Sequence, residues 1–246
     1  MLAPMNGSGV RRVLAALSLL LVLPAGLAAC AGGPPTVAPT GVDELTIPTP
    51  TPDPSDFVDP DTDESAVNPW FPLEPGRVWT YRRHELQDTY VERVTVTDRT
   101  RVVAGVTTRV VGDELVDTSQ RVVSSHERYY AQDSLGNVWF FGVAGDWEAG
   151  AAGAEAGLAM PAHPRLGDGF VVDAGPGTAE DRAEVLALDA KRDVPAGSFD
   201  DLLEVEQTTP HQTGLVRRAY YAAGVGLVFQ ETVAGGTELV ELVARG

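Results

Sequence analysis

The sequence predicts an all-β domain: an antiparallel meander forming a curved sheet or half-barrel, with one Gly/Ala-rich insertion. Three observations predict it. From Asn68 onward, β-branched and aromatic residues alternate with polar ones at period two. The runs are short and are separated by turn sequences such as Ala104-Gly105, Asp133-Ser134-Leu135-Gly136 and Pro195-Ala196-Gly197-Ser198. Helical periodicity of the apolar residues is hard to find. Short strands joined this way pair mainly with their neighbours in sequence.

Residues 77–82 make the first strand, with Trp79 and Tyr81 on one face. Residues 90–97 and 106–111 follow, and 120–125 is a fourth candidate. Residues 129–132 and 137–141 flank the Asp133–Gly136 turn as a hairpin. In the last third, 182–188, a short strand around Asp193-Val194, 202–208, 215–221, 226–231 and 237–243 repeat the pattern. One segment departs from it. Residues 142–177 hold nine glycines, a Met160-Pro161-Ala162-His163-Pro164 step and little alternation. Trp147 and Met160 are its apolar anchors. A stretch this long without strand pattern reads as a flap over one face or edge of the sheet.

The chain before Asn68 divides twice. Residues 1–29 read as a signal peptide: Arg11 and Arg12 form a basic head, 13–23 an apolar run, and Leu27-Ala28-Ala29-Cys30 a small-residue end. The run is shorter than the roughly 20 apolar residues of a transmembrane helix. The Arg pair fits twin-arginine export only loosely, so general secretion is expected. Leu-Ala-Ala-Cys resembles the bacterial lipobox. That resemblance implies cleavage after Ala29 and a diacylglyceryl group on Cys30, which places the protein on the outer face of the cell membrane. Two acyl chains hold firmly where one is marginal. Residues 30–67 then read as the lipidated cysteine and a disordered tether, since 31–67 carry eight prolines, eight acids and no base. Asp59, Asp61 and Asp63 alternate like a calcium loop, but Glu64 stands where that loop needs glycine.

Composition excludes several functions. The 246 residues carry a net charge of −17, which argues against a nucleic-acid partner. The single cysteine excludes a disulfide framework and any Cys-rich zinc site. There is no GxSxG elbow, no phosphate-binding glycine loop and no zinc-protease histidine pair. His84, His126, His163 and His211 are far apart in sequence. No catalytic residue, cofactor or metal is therefore expected, and 68–246 is expected to bind rather than catalyse.

Two motifs carry a family resemblance. Asn68-Pro69-Trp70-Phe71-Pro72-Leu73-Glu74-Pro75-Gly76-Arg77-Val78-Trp79-Thr80-Tyr81 opens the domain, and Tyr220-Tyr221-Ala222-Ala223-Gly224-Val225-Gly226-Leu227-Val228 comes near its end. With 194–203 between them, they resemble a group of secreted actinobacterial lipoproteins of unknown function. In architecture alone the domain is similar to the half-barrel of the lipoprotein carrier LolA and to mycobacterial lipid-binding lipoproteins. Two binding modes remain open. Trp79, Trp139, Phe141 and Tyr221 could line a concave face that holds an apolar ligand such as a lipid, with 142–177 as lid. Alternatively these aromatics fill an ordinary core, and the outer surface binds an envelope protein or wall polymer.

Overall fold

A computed structural model describes residues 45–46, 53–61, 67–173, 175 and 181–246. The chain divides into two units, Met1–Ala38 and Pro39–Gly246. The expected signal peptide over 1–29, with Ala29, and Cys30 lie outside the described residues. In the second unit the elements are β1 (Leu45–Thr46), a 3-10 turn (Pro54–Asp56), β2 (Val78–Glu85), β3 (Asp88–Val103), β4 (Val106–Val116), β5 (Val122–Gln132), β6 (Val138–Val143), β7 (Trp147–Glu148), β8 (Gly157–Met160), β9 (Asp168–Asp173), β10 (Asp181–Val194), β11 (Gly197–Thr208), β12 (Val216–Ala222), β13 (Gly226–Ala234) and β14 (Leu239–Arg245).

All strands belong to one curved, unclosed sheet in the order β1-β9-β10-β11-β12-β13-β14-β2-β3-β4-β5-β6-β7, with β8 also on β6. The expected antiparallel meander is present, in two runs: β2 to β6 and β9 to β14. The last strand joins them. β14 pairs antiparallel with β2, with Val240 opposite Arg83 and Leu242 opposite Tyr81. Several expected strands prove to be parts of longer ones. The runs at 120–125 and 129–132 are one strand, β5. Those at 182–188 and 193–194 are one strand, β10, interrupted by register shifts at Val185/Ala187, Ala187/Ala190 and Ala190/Arg192. Such irregularities bend a strand and break its alternation, so a bulged strand resembles two short ones in sequence. The Asp133–Gly136 hairpin is as expected. Asp133 Oδ1 accepts from the Leu135 and Asn137 N–H groups, both at 2.9 Å, and Oδ2 accepts from Trp139 Nε1 at 2.9 Å.

The 142–177 segment contains β7, β8 and β9, so it is part of the sheet. β7 and β8 share the outer edge of β6, and β9 starts the second run on β10. Short strands of this kind blunt a sheet edge against further pairing. No ladder among the described residues joins β8 to β9, yet they pack closely. A Cβ at Gly157 would lie 2.1 Å from the Val172 carbonyl oxygen. Only glycine permits that approach.

The composition of 30–67 predicts a tether throughout, yet 53–61 sits against the sheet. Asp53 caps the 3-10 turn, Phe57 bridges to Asp133, and Val58 N donates to Gln132 O at 3.0 Å. The Phe57 ring meets Phe141 edge-on at 5.3 Å and Trp139 at 6.4 Å. Arg109, which is 1% exposed, donates through Nη2 to Pro60 O and Asp61 Oδ1, each at 2.7 Å, and through Nη1 to Asp98 O at 3.1 Å. Composition averages over a segment; one aromatic and one acidic side chain suffice to fasten nine residues when the sheet offers a ring cluster and a buried cation.

Two stability predictions follow from these contacts. Gly157→Ala should lower stability by about 1–3 kcal/mol through overpacking against β9, visible as a loss of several degrees in Tm by calorimetry; an unchanged Tm would refute the close approach. Phe57→Ala should cost about 1–3 kcal/mol, below the range for a fully buried Phe because this ring is only half-buried. Urea denaturation of the full domain measures it, and a change under about 0.5 kcal/mol would show that 53–61 does not dock.

Candidate functional site

In a strand, residues two apart share a face. In β2 that puts Trp79, Tyr81 and Arg83 together, and cross-strand partners extend the set: Val94 faces Trp79, Glu92 faces Tyr81, and Val111 faces Val96. This inner face of the curved sheet would be open but for residues 68–76, which cross it as a strap. Asn68 fastens one end. Its Nδ2 donates to the carbonyls of Gly136, Met160 and Pro161 at 3.0–3.3 Å, and its Oδ1 accepts from Trp70 N at 2.9 Å and Phe71 N at 3.2 Å. Pro69 O accepts from Gly224 N at 2.7 Å. At the far end Gly76, with φ of 89°, turns the chain into β2 while its N–H donates to Val96 O at 2.9 Å.

Strap and sheet line a half-open cavity of about 420 Å³. Its apolar part is formed by Trp70, Phe71 and Leu73 of the strap and by Trp79, Tyr130 and Tyr221 of the sheet, with Val94, Val96, Val111 and Val240 between them. The polar tips of two aromatics are satisfied by β13 and the turn before it. Trp79 Nε1 donates to Val225 O at 2.7 Å, and the Tyr81 hydroxyl donates to Leu227 O at 3.0 Å. Burial pushes the Tyr81, Tyr130 and Tyr221 hydroxyls above their usual range, so they stay neutral.

Charge gathers at the other part. Along five strands, and from β14 into the turn before it, the cavity-lining residues pass from apolar to ionisable: Trp79 to Arg83, Val96 to Glu92, Val111 to Asp113, Tyr130 to Arg128, Tyr221 to Arg217, and Val240 to Glu238. Neighbours across this row are linked. Arg83 Nη2 lies 2.7 Å from Glu238 Oε2, and its Nη1 3.3 Å from Glu92 Oε2. Gln230 Nε2 donates to Glu238 Oε1 at 3.0 Å, Arg217 Nε stands 3.7 Å from the same oxygen, and Arg128 bonds Asp113. Burial pushes the Glu92 carboxyl up from 4.5 to about 7; Arg83 opposes that shift and Asp113 adds to it. The site is therefore an amphipathic pocket: apolar walls, with a row of three guanidinium and three carboxyl groups at one end.

Of the sequence-expected ligand contacts, Trp79 and Tyr221 line the cavity. Trp139 and Phe141 do not: the register sets Trp139 opposite Ala131, on the face away from Tyr130, and there they pack with Phe57. The neighbour Phe140 is the residue that turns toward Tyr130, at 5.2 Å. Among the described residues none of 142–177 lines the pocket, whereas Trp70, Phe71, Pro72 and Leu73 of the strap do. Sequence reasoning missed Arg83, Glu92, Asp113, Arg128, Arg217 and Glu238, because charged residues in alternating strands ordinarily mark the solvent face. The signal available was their shared phase with Trp79, Tyr81 and Val94. Among the described residues no group of three His, Cys, Asp or Glu is placed to hold a metal, and no helix is long and apolar enough to cross a membrane.

No family model matches the chain. No curated protein matches it in sequence. Two solved structures resemble it. One is a candidate exported protein with a YmcC-like fold from Bacteroides fragilis, with 14% identity and a TM-score of 0.46 over 72% of this chain and 98% of that one. The other is a candidate lipoprotein from Parabacteroides distasonis, with 11% identity and a TM-score of 0.38 over 74% and 100%.

The Glu92 environment makes stability depend on pH. Its folded-state pKa is raised, so between pH 4.5 and about 7 the folded chain keeps a proton that the unfolded chain releases. The stabilisation is complete below 4.5 and is lost as pH rises through about 7. Glu92→Gln should abolish that loss, worth on the order of 3 kcal/mol. Tm measured from pH 4 to 8 should fall less steeply in the variant; parallel curves would refute the assignment.

Proposed function

We propose that this chain is a lipid-anchored extracytoplasmic binding protein whose cavity takes a small amphiphile, apolar in its body and polar at one end. The observation that carries this reading is the polarity gradient that runs from Trp79 to Arg83 and in parallel along the neighbouring strands and the turn before β14. A structural core has no need of six ionisable groups at one end, since each costs desolvation when charged. A pocket with apolar walls and a few convergent polar groups is the usual form of a small-molecule site. Its volume of about 420 Å³ suits one chain or ring system rather than a multi-chain lipid. The anchor and location rest on the sequence: the basic head, apolar run and Leu-Ala-Ala-Cys ending at Cys30. Acylation there, and a tether through the residues ahead of Asp53, would hold the domain near the membrane from which such a ligand comes.

This reading narrows the sequence expectation of an apolar ligand such as a lipid to one with a polar end, because the charged row must remain solvated or paired when the cavity fills. Protein purified from its native host should release a lipid-like molecule into organic solvent, identified by mass spectrometry. Val94→Trp, which fills the cavity, should remove it while keeping Tm within a few degrees. Absence of any bound molecule, together with no binding of added amphiphiles, would turn the reading to the outer surface and an envelope protein or wall polymer. The anchor is tested separately: Cys30→Ala should move the protein into the medium, and retention on the membrane would refute lipidation.

A further inference from the structure

Within the charged row, the positive groups are unequally compensated. Glu238 is the hub, and both its oxygens are engaged at short range, Oε2 by Arg83 at 2.7 Å and Oε1 by Gln230 at 3.0 Å. Arg128 has Asp113 to itself. Arg217 has only the 3.7 Å approach of its Nε to Glu238, and its guanidinium makes no hydrogen bond among the described residues. Its side chain is 36% exposed and lines the cavity. A guanidinium offers five donors in a planar fork suited to carboxylate or phosphate oxygens.

The acceptors of the row are less available than its donors. Glu92 faces Arg83 from β2, Asp113 from β4, Arg128 from β5 and Glu238 from the turn before β14, with the Tyr81 hydroxyl beside it; its raised pKa leaves it largely protonated on the acid side of neutrality. With Glu92 neutral, three guanidinium groups stand against two carboxylates.

We propose that this end of the cavity receives an anionic headgroup and that Arg217 is the residue that binds it. The proposal rests on the reading of the cavity as an amphiphile site and names the charge of its guest. A carboxylate or phosphate there would take the unused donors of Arg217 while its apolar part lies against Trp79, Phe71 and Tyr221. A cationic headgroup would meet carboxylates already engaged by Arg83, Gln230 and Arg128.

The test uses the fluorescence of Trp70 and Trp79, which line the cavity, with dodecanoate, dodecyl phosphate, dodecanol and dodecyltrimethylammonium below their micelle concentrations. The two anions should bind about tenfold or more tighter than dodecanol, as expected for a hydrogen bond to a charged group. Arg217→Gln should erase that preference, and Arg217→Lys should keep part of it. Equal binding of dodecanol and dodecanoate to the unaltered protein would overturn the anion inference and leave the amphiphile reading standing; this comparison needs no variant to fold. Anion preference unchanged in Arg217→Gln would also overturn it. If none of the four ligands binds, both readings fail. Inorganic phosphate that displaces dodecanoate at equal concentration would support the anion subsite while refuting the amphiphile reading.

Discussion

The structure depends on one pairing, that of β14 with β2. It joins the end of the chain to the start of the domain, with Leu239 opposite His84 and Arg245 opposite Trp79, and the backbones of Val78 and Gly246 exchange hydrogen bonds at 2.9 and 3.1 Å. Without it there are two separate meanders, each with an open edge. With it the curvature of both runs accumulates in a single sheet, deep enough to accept a strap across its inner face. The same pairing makes the charged row continuous, because Glu238 stands just before β14 and its partner Arg83 lies in β2. Contacts of such sequence separation must meet their loop-closure cost before they stabilise the fold, which slows folding.

The strap takes the place that a helix fills in many curved sheets. Its fastening is polar and specific. Asn68 satisfies three carbonyls and two N–H groups from one side chain that is 1% exposed, which sets the register of everything up to Gly76. Because the strap is extended chain with large side chains, it leaves space beneath it. That space is the cavity, and its polarity follows from where the strap stops covering the sheet.

Much of this was legible in the residues. Alternation located Trp79 and Tyr81 on one face, and the turn chemistry of Asp133–Gly136 located a hairpin. Other features were illegible for definite reasons. Trp139, Phe140 and Phe141 are consecutive aromatics, so period two splits them between faces without saying which face is inner. Ala187 and Ala190 sit at register shifts, which made one strand look like two. Gly157 lies in a glycine-rich stretch whose function as a close-packing site depends on β9. Arg217 and Glu92 looked like solvated residues because their charge, taken locally, outweighs their phase.

The sequence by itself determined the class of fold, the approximate places of most strands outside 142–177, and the expectation of export and acylation at Cys30. These are local properties: residue alternation, turn-forming dipeptides and a basic head followed by a contiguous apolar run. Only the tertiary structure decided that β2 and β14 pair, that residues 53–61 fasten to the sheet, that the strap lines the inner face, and that six ionisable groups converge at one end of an apolar cavity. Each of these joins residues far apart in the chain, and the tilt and bend that bring them together come from the accumulated geometry of the whole sheet.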